Sequence, residues 1–184
     1  FFYKEHPKNN EFTITMIGAE SSEFKRIKNI IKALEELKAE GYKFKIEWVT
    51  PTRPKENNID CIVNPPQIEI GNVLRRTDIF ICASIYEAFC LPVLEAMTCG
   101  AAVITTNNGG NMDFVKNEEN ALVIKQDDIE DMKSKIKILC QNEELRKKII
   151  KNALKSSEQY HWDNIIPKIE EYYKKIAQYK VIED

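Results

Sequence analysis

The sequence contains no long hydrophobic run. No apolar stretch approaches the ~18 residues that a membrane-spanning helix requires. Histidine is scarce too, with only His6 and His161 in 184 residues. Neither accompanies a nucleophile in a Ser-His-Asp or Cys-His arrangement, and no His, Cys and Asp set has metal-ligand spacing. An excess of positive charge is also missing. The net charge is −2 and the pI about 5.9, and lysines are interleaved with acids. That pattern describes a solvated helix face and excludes the basic stripe expected of a nucleic-acid-binding surface. The five cysteines, at 61, 82, 90, 99 and 140, are odd in number and contain no Cys-x-x-Cys pair. They suit buried thiols in a reducing, cytoplasmic setting better than a disulfide framework or a zinc site. The first residues, Phe1-Phe2-Tyr3-Lys4-Glu5-His6, carry neither a starting Met nor a signal-peptide pattern, so a piece of a longer chain is expected.

What is present is an alternation of strands and helices. With 43% apolar residues, the chain is long enough for one domain with a sizeable core. Residues 1–11 are polar and read as a linker, and residues 12–184 read as the domain. A strand is expected over Phe12–Ile17, ending at Gly18, followed by a helix. Phe24, Ile27, Ile30, Ile31, Leu34 and Leu37 lie on one face of that helix, with Ser21 or Ser22 as its N-cap. Further strands are expected over Tyr42–Val49, Cys61–Val63, Ile79–Ala83, Ala101–Thr105 and Ala121–Ile124. A polar turn is expected over Arg53–Asn58 and helices over 68–76 and Leu91–Cys99, the latter with Pro92 in its first position. A short helix is expected over Met112–Lys116, and long ones over 128–141, 143–158 and 163–177. Continuous apolar runs such as Ile79-Phe80-Ile81-Cys82-Ala83 are what strands buried on both faces require. The fold class is therefore α/β, a doubly wound parallel sheet.

Open parallel sheets bind ligands beyond the carboxyl ends of their strands, which directs attention to loops 18–25, 64–68, 84–91 and 106–111. The helix opening at Leu91 is apolar nearly all round and should be buried. Glu95 inside it is anomalous, because an unpaired buried carboxylate is costly. A capping box accounts for such a residue only with Ser or Thr at the cap, and none stands there. A carboxylate facing a cleft and accepting hydrogen bonds from a vicinal diol such as ribose accounts for it. Glu87 lies in the strand-to-helix loop, eight residues earlier. The backbone amides near Cys90 and Leu91 form a helix N-terminus, a natural phosphate site. Lys25 and Arg26 open the first helix and oppose its dipole by ~0.3–1 kcal/mol each, so they are either a solvated pair offset by Glu20 and Glu23 or the cations of a diphosphate site. Gly109-Gly110 permits close backbone approach to a ligand, or forms a plain tight turn.

The run Glu87-Ala-Phe-Cys-Leu-Pro-Val-Leu-Glu95-Ala-Met-Thr-Cys-Gly100 resembles the Glu-x7-Glu motif of family 4 (group 1) retaining glycosyltransferases of the GT-B fold. The resemblance extends to the strand and Ser84 before the motif, to Ala101–Thr106 and Gly109–Val115 after it, to Gly18 with Lys25-Arg26, and to His161-Trp162, so that it covers about residues 12–175. It implies a single Rossmann-like domain, the C-terminal half of a GT-B enzyme, which binds a nucleoside-diphosphate sugar such as a UDP- or GDP-sugar and needs neither metal nor other cofactor. It also implies roles. Glu95 holds the ribose, Glu87 contacts the transferred sugar, and Cys90 and Leu91 offer amides to the distal phosphate and sugar. Phe89 and Ser84 belong to the same binding loop. Lys25 attends the diphosphate, with Arg26 beside it. The acceptor would be bound by a missing N-terminal domain, through which alone a membrane would be touched, at its inner face. The sequence departs from the family pattern at Ala19, where an Arg is usual, at Arg26, Ala88 and Cys90, where glycines are usual, and at Ala121, which replaces a late turn glycine. Two readings follow: the donor-binding half of a sugar-transferring enzyme, or a sugar-nucleotide-binding module or scaffold without transfer activity. The apolar residues of the last helix, from Trp162 to Ile176, are more than a solvated helix needs and are expected to meet the N-terminal domain.

Overall fold

The structure is a computed structural model that describes residues 11–54 and 59–179. The expected linker, apart from Glu11, and the end of the polar turn after Pro54 lie outside the described residues. Six parallel strands form one sheet: β1 (Thr13–Ile17), β2 (Lys45–Thr50), β3 (Cys61–Val63), β4 (Ile79–Cys82), β5 (Ala102–Thr106) and β6 (Leu122–Ile124). The helices are α1 (Ile27–Ala39), α2 (Gln67–Arg76), α3 (Leu91–Thr98), α4 (Ile129–Gln141), α5 (Glu143–Ser157) and α6 (Trp162–Tyr179), with a 3-10 turn at Glu158–Tyr160.

The strand order is β3-β2-β1-β4-β5-β6, and every pairing is parallel. This is the doubly wound arrangement, whose order reverses between β1 and β4. Successive side chains of each strand serve opposite faces. Ile79 and Ile81 of β4 join the core with α1 and α4, whereas Phe80 and Cys82 join the core with α2, α3 and α5. In β5, Ala102 and Ile104 face the first core and Val103 the second. Burial on both sides explains why these strands are apolar without alternation.

Three local expectations are corrected. α1 does not begin at Ser21 or Ser22; residues 19–26 form a turn, and Arg26 caps the helix in the left-handed conformation at φ 52°. Tertiary contacts override the local cap signal. The Phe24 carbonyl accepts from the Ile85 amide of the β4 loop, and the Arg26 guanidinium binds Asp127. Phe24 accordingly leaves the apolar face of α1 and is 65% exposed. Second, Met112–Lys116 is not a helix; residues 111–114 form a turn held by Asn111, whose side-chain amide donates to the Thr105 hydroxyl and the Thr106 carbonyl. Third, α3 starts at Leu91, so Pro92 is its second residue and Glu95 its fifth. Gly100, at φ 77°, follows the last turn of α3 and lets the chain reverse directly into β5.

The terminal helix α6 docks on the 3-10 turn. Trp162, Ile166, Ile169, Tyr172, Tyr173 and Ile176 are all exposed along it. No helix among the described residues is long and apolar enough to cross a membrane.

Candidate functional site

The reversal point lies between β1 and β4, and the loops leaving these two strands meet there. β1 runs into Gly18 and the 19–26 turn, which delivers Lys25. β4 runs into the 83–90 loop, which delivers Glu87. Lys25 Nζ donates to Glu87 Oε1 at 2.6 Å. Burial works against the Lys25 ammonium, yet the Glu87 hydrogen bond and charge outweigh it and raise the pKa above 10.5.

The Glu87 loop is fastened from the β5 side. The Glu87 amide donates to the Asn108 carbonyl at 3.0 Å, and the Gly110 amide donates to the Glu87 carbonyl at 3.1 Å. Gln126 spans the same gap, its Nε2 donating to the carbonyls of Ile85 and Asn107, each at 2.9 Å. A side chain at Gly110 would collide with the backbone of Ala88 and Phe89. The close approach that the glycine pair allows is thus to the Glu87 loop itself. Ser84 is fully buried beneath it, and its carbonyl accepts from the Thr106 hydroxyl.

Cys90 ends the loop as the N-cap of α3, in the left-handed conformation at φ 60° and without a side-chain cap. Its thiol is buried 3.6 Å from that of Cys82, which is also 3.4 Å from the Ser84 hydroxyl. The hydrogen bond between the two thiols holds the Cys82 pKa below its ordinary value against the opposing effect of burial, and the Cys90 pKa is pushed up. Elsewhere burial is the largest influence: Cys99 and Cys140 are each pushed up to about 11. Among the described residues, Cys82, Glu87 and Cys90 form a group whose ligand atoms lie within 4.8 Å of one another. Spacing along the chain did not announce this set, because the strand-to-loop turn folds residues eight apart onto one point.

Glu95 stands apart from this cluster. It lines an apolar cleft of about 820 Å³ between α2, α3, α5 and the start of α6, together with Phe89, Leu91, Tyr160 and Trp162. Gln67 of α2 donates to Glu95 Oε1 at 3.0 Å. Burial raises the Glu95 pKa above 4.5, more than the Gln67 hydrogen bond lowers it. The dipole of α3 does not reverse this, since its effect fades beyond the first turn and Glu95 is the fifth residue. Leu91, 57% exposed, opens onto the same cleft. Phe89 is wedged into an aromatic trio with Phe114 and Tyr160, at centroid separations of 5.3 and 5.7 Å.

Arg26 is placed differently from Lys25. Its guanidinium makes two hydrogen bonds to Asp127, at 2.8 and 3.2 Å, so its charge is directed to the β6–α4 loop. Sequence reasoning missed Gln67, Asn108 and Gln126. Single polar residues carry no periodic signal, and each acts on a partner far along the chain.

This fold is shared with solved structures. The C-terminal domain of a glycosyl transferase group 1 family protein (LpcC) from Francisella tularensis superposes with a TM-score of 0.73 at 22% identity, covering 85% of this chain and 93% of that one. Anabaena Alr3699/HepE, solved in complex with UDP-glucose, superposes with a TM-score of 0.79 at 18% identity over 90% of this chain and 49% of that one. In sequence, the chain is 35% identical over 98 residues to the N,N'-diacetylbacillosaminyl-diphospho-undecaprenol alpha-1,3-N-acetylgalactosaminyltransferase of Campylobacter jejuni. The match covers 53% of this chain and 26% of that relative, so the chain spans only part of the length of such a protein. The domain has the Rossmann-like fold of GT-B C-terminal domains, matching the fold expected from the Glu-x7-Glu run. Residues 51–156 match the family of glycosyl transferases group 1, and the chain belongs to that family.

Proposed function

We propose that this domain binds the donor of a retaining glycosyltransferase, a nucleoside-diphosphate sugar, at the β1/β4 crevice. The observation that carries the proposal is the convergence of Lys25, Glu87 and the N-terminus of α3 at the one point where the strand order reverses. Anions are favoured at a helix N-terminus, whose amides lack intrahelical partners. The diphosphate is accordingly assigned to the amides of Cys90 and Leu91 and to the Lys25 ammonium. Ser84 and Phe89 support this loop from below and from the side. Glu95 takes the ribose hydroxyls, and Glu87 takes the sugar being transferred. The UDP-glucose bound by the Anabaena protein supports a ligand of this class.

In the full protein, catalysis by this half is chiefly electrostatic. Departure of the nucleoside diphosphate concentrates negative charge on the distal phosphate. Positive charge and amide dipoles held there in advance stabilise that charge, a contribution worth about 10²–10³ in rate for a single well-placed donor in other enzymes. No cofactor is assigned, because Lys25 and the helix terminus supply the positive potential. The acceptor belongs to a further, N-terminal domain, which would also make any membrane contact. Half of a two-domain cleft excludes water poorly and positions no acceptor, so the 184 residues alone bind nucleoside diphosphate weakly and transfer nothing.

A second reading, sugar-nucleotide binding without transfer, rests on specific observations. Ala19 removes one cation of the family pattern, Arg26 is engaged by Asp127, and the Lys25 charge is already paired with Glu87. The test is a calorimetric panel of UDP, GDP and ADP, with and without attached sugars, followed by turnover in the full-length protein. Absence of binding to every nucleotide would rule out both readings. Binding without turnover would select the second.

A further inference from the structure

Two buried thiols and a carboxylate meet at the crevice in a manner that sugar transfer does not require. Cys82 and Cys90 are almost fully enclosed, and their sulfurs are 3.6 Å apart. Two thiolates on one tetrahedral zinc, at Zn–S ≈ 2.3 Å, are separated by about 3.8 Å. The observed spacing, that of two hydrogen-bonded thiols, is far longer than the about 2.05 Å of a disulfide and close to that of a chelating pair. Glu87 supplies a third ligand atom within 4.8 Å of both sulfurs. Cys90 holds its place in a left-handed conformation that is uncommon for a residue with a β-carbon and costs of order 1–3 kcal/mol.

We infer that Cys82, Cys90 and Glu87 form a binding site for a soft divalent cation such as zinc or cadmium. Thiolate and carboxylate ligands suit such an ion, and three protein ligands leave a fourth position for water. Both thiols must release their protons to bind it. Two thiolates and a carboxylate around a divalent ion retain one negative charge, which the adjacent Lys25 ammonium offsets. A Glu87 carboxylate engaged by the ion is no longer available to a sugar hydroxyl.

If Glu87 contacts the transferred sugar, as proposed above, metal and donor sugar exclude one another, and the cation silences the site. Metal binding itself does not depend on that reading and is measured without nucleotide. Cadmium is titrated into the reduced 184-residue chain, following the thiolate-to-metal charge-transfer band, with zinc measured by calorimetry in parallel. One equivalent is expected to bind. Cys82→Ser and Cys90→Ser should each abolish the band or weaken binding by at least about tenfold, the lower end of what even an outer-shell partner of a metal ligand costs. Cys61→Ser and Cys140→Ser should bind as the parent does. Should Cys90→Ser not fold, Glu87→Gln serves instead, retaining the band with weakened affinity. No band, a band that survives in Cys82→Ser, or undiminished affinity in Glu87→Gln overturns the site. Mass spectrometry showing loss of two hydrogens with both thiols protected from alkylation would also overturn it, in favour of a disulfide pair.

Discussion

Lys25 and Glu87 lie 62 residues apart in the chain, yet the Lys25 ammonium donates to a Glu87 carboxylate oxygen at 2.6 Å, bridging the two loops at the sheet's reversal point. The pair is partly exposed, so its stabilisation falls near the upper part of the ~0.2–1 kcal/mol range of surface pairs. Its larger effect is on binding. With Glu87→Gln the ammonium is no longer held by a carboxylate, and free nucleoside diphosphate should bind as well as to the parent or better. The sugar-bearing donor should bind more weakly. Lys25→Met should weaken both. Calorimetry on the two variants checks this, and equal losses for free nucleotide and donor in Glu87→Gln would remove the sugar role.

Glu95→Gln should weaken nucleotide binding by about one to three orders of magnitude. Losing hydrogen bonds from a diol to a charged acceptor costs ~2–4 kcal/mol, and ~1.4 kcal/mol corresponds to tenfold. The fold should survive, because the side chain opens on the cleft. Unchanged affinity in the variant would return Glu95 to a structural role with Gln67.

The same residue gives a pH dependence. Glu95 must be ionised to accept from the ribose, and burial raises its pKa above 4.5. Nucleotide affinity should therefore fall on acidification, beginning at a higher pH than an ordinary glutamate would cause. The sign for stability is opposite. A carboxyl whose folded pKa is raised contributes stability below its ordinary value, and that contribution is lost as pH rises through the folded value. Binding curves against pH for parent and Glu95→Gln should differ by this component, and parallel curves would refute it.

Gly110→Ala should be costly. The added methyl meets the backbone of Ala88 and Phe89, which cannot rotate away as a side chain does. Overpacking of this kind costs ~1–3 kcal/mol, and here it displaces the Glu87 loop. Lower thermal stability together with lost donor binding is expected. A variant as stable as the parent would mean that the two loops separate easily.

Replacing Trp162, Tyr172 and Tyr173 by polar residues should change the stability of the 184-residue chain by no more than about 0.5 kcal/mol each, as for surface positions. These side chains are 64–68% exposed. In the full-length protein the same changes should destabilise or loosen the arrangement of domains, if α6 packs on the N-terminal one. Denaturant melts of both lengths compare the two, and equal effects would leave α6 without that partner.

The sequence by itself determined the sheet and the helices that cover it. Continuous β-branched runs have no stable place except between two covered faces, and the apolar stripes of α1 and α4 require a sheet to pack on. The Glu-x7-Glu run likewise marked the site loop, since an acid in an apolar helix calls for a reason. Only the tertiary structure decided what those residues touch. The Ser21 and Ser22 cap signal yielded to Phe24 and Arg26, whose anchors at Ile85 and Asp127 are far along the chain. Lys25 and Arg26, adjacent and alike in charge, were sent to different acids. Cys82 and Cys90 read as separate buried thiols until the turn after β4 brought their sulfurs together. Local propensity and periodicity act over a few residues, whereas ion pairs and thiol contacts depend on which strand ends the sheet order makes neighbours, and no short stretch of sequence encodes that order.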